Sequence, residues 1–452
     1  MEVYISSGGT QKGPYSLEQI KQMQERREIL PTDYAWYAGL PAWVPINQLQ
    51  PDGSIGPPPL HQKASFGHGA AGVFDRITGR ITSIAGVEKI EGLQRKDFFS
   101  EIFKKRTDGE IDEMFSTGTK STTPPLGTID TRWPHPWLFV RAAIAAALLC
   151  AGFFYGFVHF RNDNFLPGLI LVGSFALPLA TLIFFVEMNV PRNMSLYQIF
   201  KLVNAGGVVA LIFTVLLAQW GDYFGFHESV VTLGGAALVG VVEESAKIGA
   251  VILFMRNKRF RWTLNGLLIG AAVGAGFAAF ESAGYALRTL IEPVNVYIAP
   301  VVVEVLKRLP NGATETDLKE AVVAALGQLW GFGIGNMLQV IGMRALLAPL
   351  GHVVWTALAA GALWKVKGDQ PFRWRMLTDW RFLRVFLLVA VCHALWDLTW
   401  IHNTAWVYTK YLTLGFVAWV AVLAYVQDGL KQIRQAQDVY SRAKPPPGIA
   451  AT

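Results

Sequence analysis

The chain has 452 residues, of which 52% are hydrophobic and only 16% are charged, and its formal net charge is +7. Because soluble domains carry nearer a quarter of charged residues, this composition argues against an ordinary soluble protein and predicts one that lies in a lipid bilayer. The Lys and Arg residues flank apolar segments instead of forming one stripe, so no nucleic-acid partner is expected.

Residues 1–50 are polar and predict a small α+β domain, with short alternating runs, Gly and Pro turn elements and one helical stretch. The segments GPYS, LEQIKQMQERREIL and WYAGLPAWVPI resemble the bacterial GYF-type domain. That resemblance implies a proline-rich peptide partner, since such domains bind a pre-extended polyproline helix on aromatic side chains. The same aromatic rings also suit the core of a very small domain. They are Tyr4, Tyr15, Trp36, Tyr37 and Trp43.

Residues 51–132 predict a linker, because they are rich in Gly, Ser, Thr and Pro. Within it, the stretch KDFFSEIFKKR predicts an amphipathic helix, with apolar residues at helical spacing beside three basic ones. Such a helix suits either an anionic membrane surface or packing within the protein. The apolar residues are Phe98, Phe99, Ile102 and Phe103, and the basic ones are Lys104, Lys105 and Arg106.

Residues 133–430 predict an all-α polytopic membrane domain with about eight transmembrane helices, followed by a tail at 431–452. Each apolar segment is long enough to cross a hydrocarbon core of about 30 Å at about 1.5 Å per residue. The segments are 137–160, 165–190, 199–220, 229–255, 264–288, 349–366, 381–401 and 404–427.

Basic residues predict the orientation in the membrane, because Lys and Arg are retained on the cytoplasmic side. They follow the fourth, sixth and eighth segments, whereas the opposite loops GDYFGFHES and IHNTA carry none. The first residues also lack the features of a cleaved signal peptide. We therefore expect both termini in the cytoplasm, and residues 291–348 either outside the bilayer or in a re-entrant or interfacial helix.

Several ionisable residues fall inside the predicted transmembrane helices, where a charge costs on the order of 3 kcal/mol and needs a partner or a task. Glu243, Glu244 and Lys247 lie in the fourth segment, and Lys247 is spaced to pair with either carboxylate. The fifth segment contains Glu281. The sixth opens with His352, and the seventh places His393 and Asp397 on one helix face.

These residue types suit the activation of water. Two adjacent carboxylates do not readily ionise together at low dielectric, so we expect Lys247 or a metal to keep one of Glu243 and Glu244 ionised, while the other serves as a general base. His393, oriented by Asp397, is suited to binding a metal, moving a proton or supporting an oxyanion.

Structural explanations exist for single members of this set. Glu244 and Lys247 suit a neutralised pair within one helix, His352 suits an interfacial position, and Asp397 suits a partner that only neutralises His393. Taken together, buried acidic and imidazole residues on four different helices favour one shared site.

Four motifs resemble, in their order along the chain, those of the PrsW-type proteases of the CAAX protease and bacteriocin-processing superfamily. They are the EExxK of Glu243, Glu244 and Lys247, the FxxxE ending at Glu281, the histidine of GHVVWTALAAG, and the HxxxD of His393 and Asp397. The resemblance covers about residues 130–430. It implies an intramembrane endopeptidase of the bacterial inner (plasma) membrane that cleaves membrane-anchored proteins, with anti-sigma factors as a known substrate class.

By this resemblance Glu243 activates the water, Glu244 and Lys247 set its charge state, and Glu281, His352 and His393 complete the site, where they are the expected ligands of a divalent metal such as zinc. Asp397 falls where relatives usually place an Asn that helps to bind the oxyanion. The wider superfamily ends its second motif in His where this chain has Glu281, and a metal-free glutamate mechanism stays open.

Two functions of other classes compete with the protease. A proton- or ion-coupled transporter also places Glu, His and Lys inside the membrane, although the internal repeat that many transporters show is not apparent in this sequence. A non-catalytic membrane receptor that keeps the fold is the other alternative.

Overall fold

The computed structural model describes residues 2–7, 10–25, 28–29, 33–38, 43–46, 70–91, 93, 99–107, 110, 116–119, 121–223, 225, 231–256, 260–310, 313–400 and 403–443. The chain forms two compact units, Met1–Phe74 and Asp75–Thr452.

The first unit is a small α+β fold. Its strands β1 (Val3–Ser7), β2 (Thr10–Tyr15), β3 (Tyr34–Tyr37) and β4 (Val44–Pro45) form an antiparallel sheet in the order β2-β1-β3-β4, and helix α1 spans Leu17–Glu25. Successive residues of a strand point to opposite faces of the sheet. An aliphatic core forms on one face, from Val3, Ile5, Ile20, Ile29, Ala35 and Ile46.

The aromatic residues of this unit divide between the two faces of the sheet. Tyr15 and Tyr37 pack against the aliphatic core. Tyr4 and Trp36 form a cross-strand pair with ring centroids 6.2 Å apart, and the centroid of Trp43 lies 6.4 Å from that of Trp36. These last three rings form an aromatic group apart from the core.

The second unit is helical. Its helices are α2 (Ala70–Ala85), α3 (Leu138–Phe160), α4 (Leu166–Met188), α5 (Leu196–Tyr223), α6 (Leu233–Met255), α7 (Thr263–Arg308), α8 (Glu315–Leu347), α9 (His352–Lys367), α10 (Trp380–Asp397) and α11 (Thr404–Ala443).

Six stretches of the described chain are long and apolar enough to cross a membrane, which confirms the polytopic all-α class. The predicted number of about eight transmembrane helices is not confirmed. Helices α6 and α10 are not among the six. Each of them carries three charged residues, and these lower the hydropathy of otherwise apolar helices.

Residues 291–348 belong largely to two long helices, and their expected position outside the bilayer or in a re-entrant or interfacial helix stays a prediction. Helix α7 continues unbroken to Arg308, and α8 returns beside it, so that Gly333 packs on Leu290 and Arg344 reaches Glu281. The sequence obscured this hairpin because α7 contains two prolines, which membrane helices tolerate when neighbouring helices support them.

Glycines bring α7 and α9 into close contact, which places the first residue of α9 beside the other site helices. A Cβ atom on Gly270 would lie 2.2 Å from the main-chain oxygen of Thr356, and one on Gly274 would lie 2.6 Å from that of His352. Small residues of this kind let membrane helices approach backbone to backbone. The position of His352 therefore depends on these two glycines.

A second buried feature is an amide cluster formed by Asn189, Asn193 and Asn265. The Asn265 side chain donates to Asn189 Oδ1 at 2.9 Å and to Asn193 Oδ1 at 2.6 Å, and its own Oδ1 accepts from Asn193 Nδ2 at 3.2 Å and from the Trp262 main-chain N–H at 3.3 Å. The cluster ties the segment after α4 to the start of α7.

The polar segment after α2 contacts basic residues of three helices. The Gly86 carbonyl accepts hydrogen bonds from Lys365 of α9 and Arg384 of α10, and Glu88 pairs with Lys431 of α11 at 2.6 Å. Two of the basic residues that predicted a cytoplasmic face, Lys365 and Lys431, therefore lie beside residues 86–88. The pKa of the Glu88 carboxyl is lowered by its hydrogen bond and charge interaction with Lys431.

The predicted amphipathic helix falls partly on residues 94–98, which lie outside the described residues. In its described part, residues 100–103 form turns, with Ile102 buried and Phe99 and Phe103 exposed. The first part of the predicted linker, residues 51–69, likewise lies outside the described residues.

Candidate active site

Four helices supply the predicted site residues, and the structure brings all seven side chains into one network. Helix α6 contributes two carboxylates and a lysine, α7 one carboxylate, α9 a histidine at its first position, and α10 a histidine and a carboxylate. They are Glu243, Glu244, Lys247, Glu281, His352, His393 and Asp397.

Lys247 lies at the centre of the network. Its Nζ donates to Glu243 Oε2 at 3.1 Å and to Glu244 Oε1 at 2.8 Å, because the i+4 and i+3 spacings place all three side chains on one face of α6. It also lies 2.9 Å from His352 Nδ1 and 4.1 Å above the Phe277 ring. The lysine is fully buried, so its charge depends on these partners.

The two ring nitrogens of His393 lie close to three carboxylates. Its Nδ1 lies 2.9 Å from Glu244 Oε1, and its Nε2 lies 3.3 Å from Asp397 Oδ2 and 3.5 Å from Glu243 Oε2. A carboxylate that accepts the Nδ1 proton fixes the tautomer and directs the lone pair of Nε2 toward the other ligands of the site. Trp355 packs over the ring at 4.9 Å and limits its rotation.

His352 joins the two ends of the network. A lysine ammonium has only donors, so His352 Nδ1 accepts from Lys247 and its Nε2–H donates to Glu281 Oε2 at 3.1 Å. Glu281 in turn forms an ion pair with Arg344 of α8, whose Nε donates to Ser282 Oγ at 2.9 Å.

Arg344 and Ser282 are the site residues that sequence reasoning missed. Arg344 was missed because residues 291–348 were not expected to pack beside the site helices. A signal for it existed in the sequence: residues 321–343 contain no Asp, Glu, Lys or Arg, and Arg344 is the first charge after this apolar stretch. An intramembrane arginine needs a carboxylate partner, and Glu281 was available.

A cavity of about 190 Å³ opens beside the network. His352, Asp397, Ser282 and Arg344 are among the residues that line it. Asp397 is the most exposed carboxylate of the network, with 26% of its side chain accessible, whereas Glu244 is fully buried. A water molecule or a peptide group in this cavity would therefore meet Asp397 and Arg344, whose side chains are more exposed than that of His352.

Three of these residues are arranged to hold a metal ion. Glu243, His352 and His393 each offer one ligand atom, and within the described part of the chain these atoms lie within 4.8 Å of one another. Because the Nε2–H of His352 donates to Glu281, its ligand atom would be Nδ1, which would exchange the hydrogen bond from Lys247 for the ion. One carboxylate and two imidazoles are a donor set of catalytic zinc sites. In addition, Glu244 Oε2 is buried without a hydrogen-bond partner among the described residues, so the network has spare capacity for positive charge.

The charges of the network agree with a divalent cation. It contains four carboxylates and two permanent cations, Lys247 and Arg344. If the carboxylates are ionised and both imidazoles are neutral, two negative charges remain in a buried, low-dielectric position. One divalent ion would balance them. The residues therefore fit such an ion.

The structure groups different ligands from those that were predicted. Glu243 joins the two histidines, whereas the predicted ligand Glu281 is engaged by Arg344 and by the Nε2 of His352. Because a carboxylate held by a guanidinium is less available to a metal, the geometry favours Glu243 as the third ligand. The ligand role of Glu281 stays a prediction.

Comparison with known proteins agrees with these motifs. The family model described as PrsW family intramembrane metalloprotease matches residues 195–426, slightly more than half of the chain. The model described as GYF domain 2 matches residues 4–50. No curated protein and no solved structure matches the chain.

Proposed function

We propose that this chain, which belongs to the PrsW family of intramembrane metalloproteases, hydrolyses peptide bonds of membrane-anchored proteins with water activated by its Glu/His network. The observation that carries this proposal is the convergence of Glu243, His352 and His393 from three helices beside a cavity. Anti-sigma-factor-like proteins are one suitable substrate class. The family membership favours proteolysis over transport or a receptor role.

In this proposal Glu243, His352 and His393 hold a divalent ion such as zinc. When bound, such an ion would act as a Lewis acid, which polarises a carbonyl oxygen and makes a water molecule nucleophilic at neutral pH. Glu244 accepts the Nδ1 proton of His393 and keeps its Nε2 directed into the site. Lys247 neutralises the pair of adjacent carboxylates that would otherwise repel each other.

Asp397 is the proposed acceptor of the water proton. It is the carboxylate that lines the cavity, and its Oδ2 lies 3.3 Å from His393 Nε2. Where an Asn would donate a hydrogen bond to an oxyanion, an ionised Asp would repel one, so the carboxylate suits proton transfer better. Glu243, the predicted water-activating residue, then acts mainly as a ligand.

A matched pair of variants tests these roles. We expect Glu243→Gln to lose both the metal and the cleavage of a co-reconstituted single-span protein, because an amide is a poorer ligand than a carboxylate. Asp397→Asn should keep the metal and cleave about 100-fold more slowly or worse. Metal stoichiometry and cleavage rate are measured on the same samples.

The control variant is Gln219→Leu. It changes an exposed amide of α5 that lies outside the network, and it should behave as wild type. Cleavage by Glu243→Gln at the wild-type rate would overturn the proposed function. Loss of cleavage with full metal content in Glu243→Gln would instead assign Glu243 as the general base.

The face that bears residues 86–88 and the basic helix ends is proposed to be cytoplasmic, because Lys and Arg are retained there. Both termini would then lie in the cytoplasm of a cell whose inner membrane contains the protein.

The first unit is proposed to bind a proline-rich peptide. Its support is the match to a GYF domain and the group of Tyr4, Trp36 and Trp43 rings apart from the aliphatic core. The segments 57–59 and 445–447 of the chain itself are candidate ligands, and both lie outside the described residues. Peptides with these segments should shift the indole NMR signals of the full-length protein, and unchanged signals would contradict this idea.

A further inference from the structure

A groove runs along the outer side of the α7–α8 hairpin. It encloses about 420 Å³, and its walls include Val296, Tyr297, Phe332, Asn336, Gln339 and Met343. Three of these apolar walls are well exposed, at 53% for Val296, 49% for Tyr297 and 58% for Phe332. The groove thus offers a largely apolar surface that contains two side-chain amides, and the Thr289 hydroxyl and the Glu292 carboxylate also line it.

The two amides are unusual for their surroundings. Residues 321–343 contain no charged residue and would span about 34 Å as a helix, which matches the hydrocarbon core of a bilayer. Within the described residues, the side chains of Asn336 and Gln339 have no hydrogen-bond partner. By contrast, Thr289 donates to the carbonyls of its own helix and Glu292 pairs with Arg288.

An amide that faces hydrocarbon without a partner is unfavourable, because the lipid offers no hydrogen bonds. Asn336 and Gln339 are three residues apart and therefore lie on the same face of α8. Each of them carries both a donor and an acceptor. Their position calls for a partner that has unsatisfied donors and acceptors inside the membrane.

The groove adjoins the candidate active site. Met343 lines both this groove and the cavity of about 190 Å³ beside His352 and Asp397. The next residue, Arg344, contacts Glu281 of the network. A chain that lies in the groove therefore has a direct way to the cavity.

We propose that this groove binds the transmembrane segment of the protein substrate, and that Asn336 and Gln339 hydrogen-bond to its backbone where its helix is opened. A peptide bond inside an intact helix is sterically shielded and its carbonyl is already hydrogen-bonded, so cleavage requires local unwinding. Unwinding exposes donors and acceptors that lipid cannot satisfy, and the two amides compensate for them. This inference rests on the proposed proteolytic function.

The first test separates binding from chemistry. We expect the double variant Asn336→Leu, Gln339→Leu to raise KM about tenfold for a co-reconstituted single-span reporter, since two intramembrane hydrogen bonds are lost, while kcat and metal content change little. Leucine preserves insertion because it is apolar. Gln219→Leu on α5 is the matched control. An unchanged KM in the double variant would overturn the proposal.

The second test does not depend on cleavage. A photoreactive phenylalanine derivative replaces Phe332 in full-length Glu243→Gln protein, reconstituted in vesicles with the same reporter, and the same derivative at the exposed Leu216 of α5 is the control. We expect adducts with the reporter at position 332 and at most a tenth as many at position 216. The leucine double variant should reduce the adducts at position 332.

Equal adducts at the two positions would overturn the proposal, as would adducts that contain only lipid or only a second copy of the chain. Adducts at position 332 together with wild-type protein that never cleaves the reporter would support the docking surface and contradict the proposed proteolysis. The two ideas therefore fail in distinguishable ways.

Discussion

Two clusters of polar side chains are buried in the same helical unit, and they differ in how fully they satisfy themselves. In the amide cluster, Asn265 uses both of its donors and accepts two hydrogen bonds. In the charged network, Glu244 Oε2 has no partner among the described residues, and the carboxylates outnumber the permanent cations. Burial is similar, with Asn265 and Glu244 both at 0% exposure.

The difference teaches that a buried polar residue is not by itself a sign of function. A neutral cluster that satisfies its own hydrogen bonds stabilises one arrangement of helices. A cluster with unbalanced charge and an opening to a cavity is unfavourable for folding alone, so it needs a ligand or a reaction to account for it. The charged network has both features, whereas the amide cluster carries no charge.

Metal removal should give the largest effect. We expect chelation to lower the cleavage of a reconstituted single-span substrate at least about 100-fold, and added zinc to restore it, because the excess negative charge of the network is then balanced again. Bound metal is measured directly, with about one divalent ion expected per chain. The Asn265→Leu variant should bind the same amount.

Full cleavage by protein shown to contain no metal would contradict this expectation. It would favour the metal-free glutamate mechanism, in which Lys247 alone compensates for the charge of Glu243 and Glu244.

Asn265→Leu should mainly affect stability. The substitution leaves Asn189 and Asn193 without their partner and removes the acceptor of the Trp262 N–H, so we expect a loss of about 3 kcal/mol in the free energy of unfolding. A lower unfolding midpoint in detergent measures it. Cleavage per folded molecule should stay near the wild-type value, and a stable variant that has lost activity would break the distinction between the clusters.

The sequence predicted the membrane class, the amino-terminal domain and the motifs of the site, because each of these has a short-range signal. Apolar runs indicate transmembrane helices, and ionisable residues inside them indicate a site. The i, i+3 and i, i+4 spacings also predicted the contacts of Lys247 with Glu243 and Glu244 correctly. The metal is implied by the family.

The hairpin of α7 and α8 could not be predicted in the same way. Its prolines and glycines weaken the helical signal, and what stabilises it is packing on other helices, such as the contact of Gly333 with Leu290. The proposed ligand set depends on the same long-range packing. The packing of α8 against α7 brings Arg344 to Glu281, and Glu243 is then the carboxylate grouped with His352 and His393. The sequence alone does not show this packing.

Arg344 provides the smallest and most selective effect, because it acts on the site through Glu281. Its guanidinium holds the carboxylate that accepts the Nε2–H of His352, so Arg344→Gln should leave His352 less well oriented and lower kcat about tenfold. Arg344→Lys keeps the charge and should recover part of the rate, although lysine cannot contact both Glu281 and Ser282 in the geometry of the fork. Metal content and KM should change little in either variant. An Arg344→Gln variant as active as wild type would show that Glu281 is oriented without α8. If both Arg344 variants instead lost stability as Asn265→Leu is expected to do, Arg344 would resemble the amide cluster, as a residue that stabilises the helix packing and does not act on the chemistry.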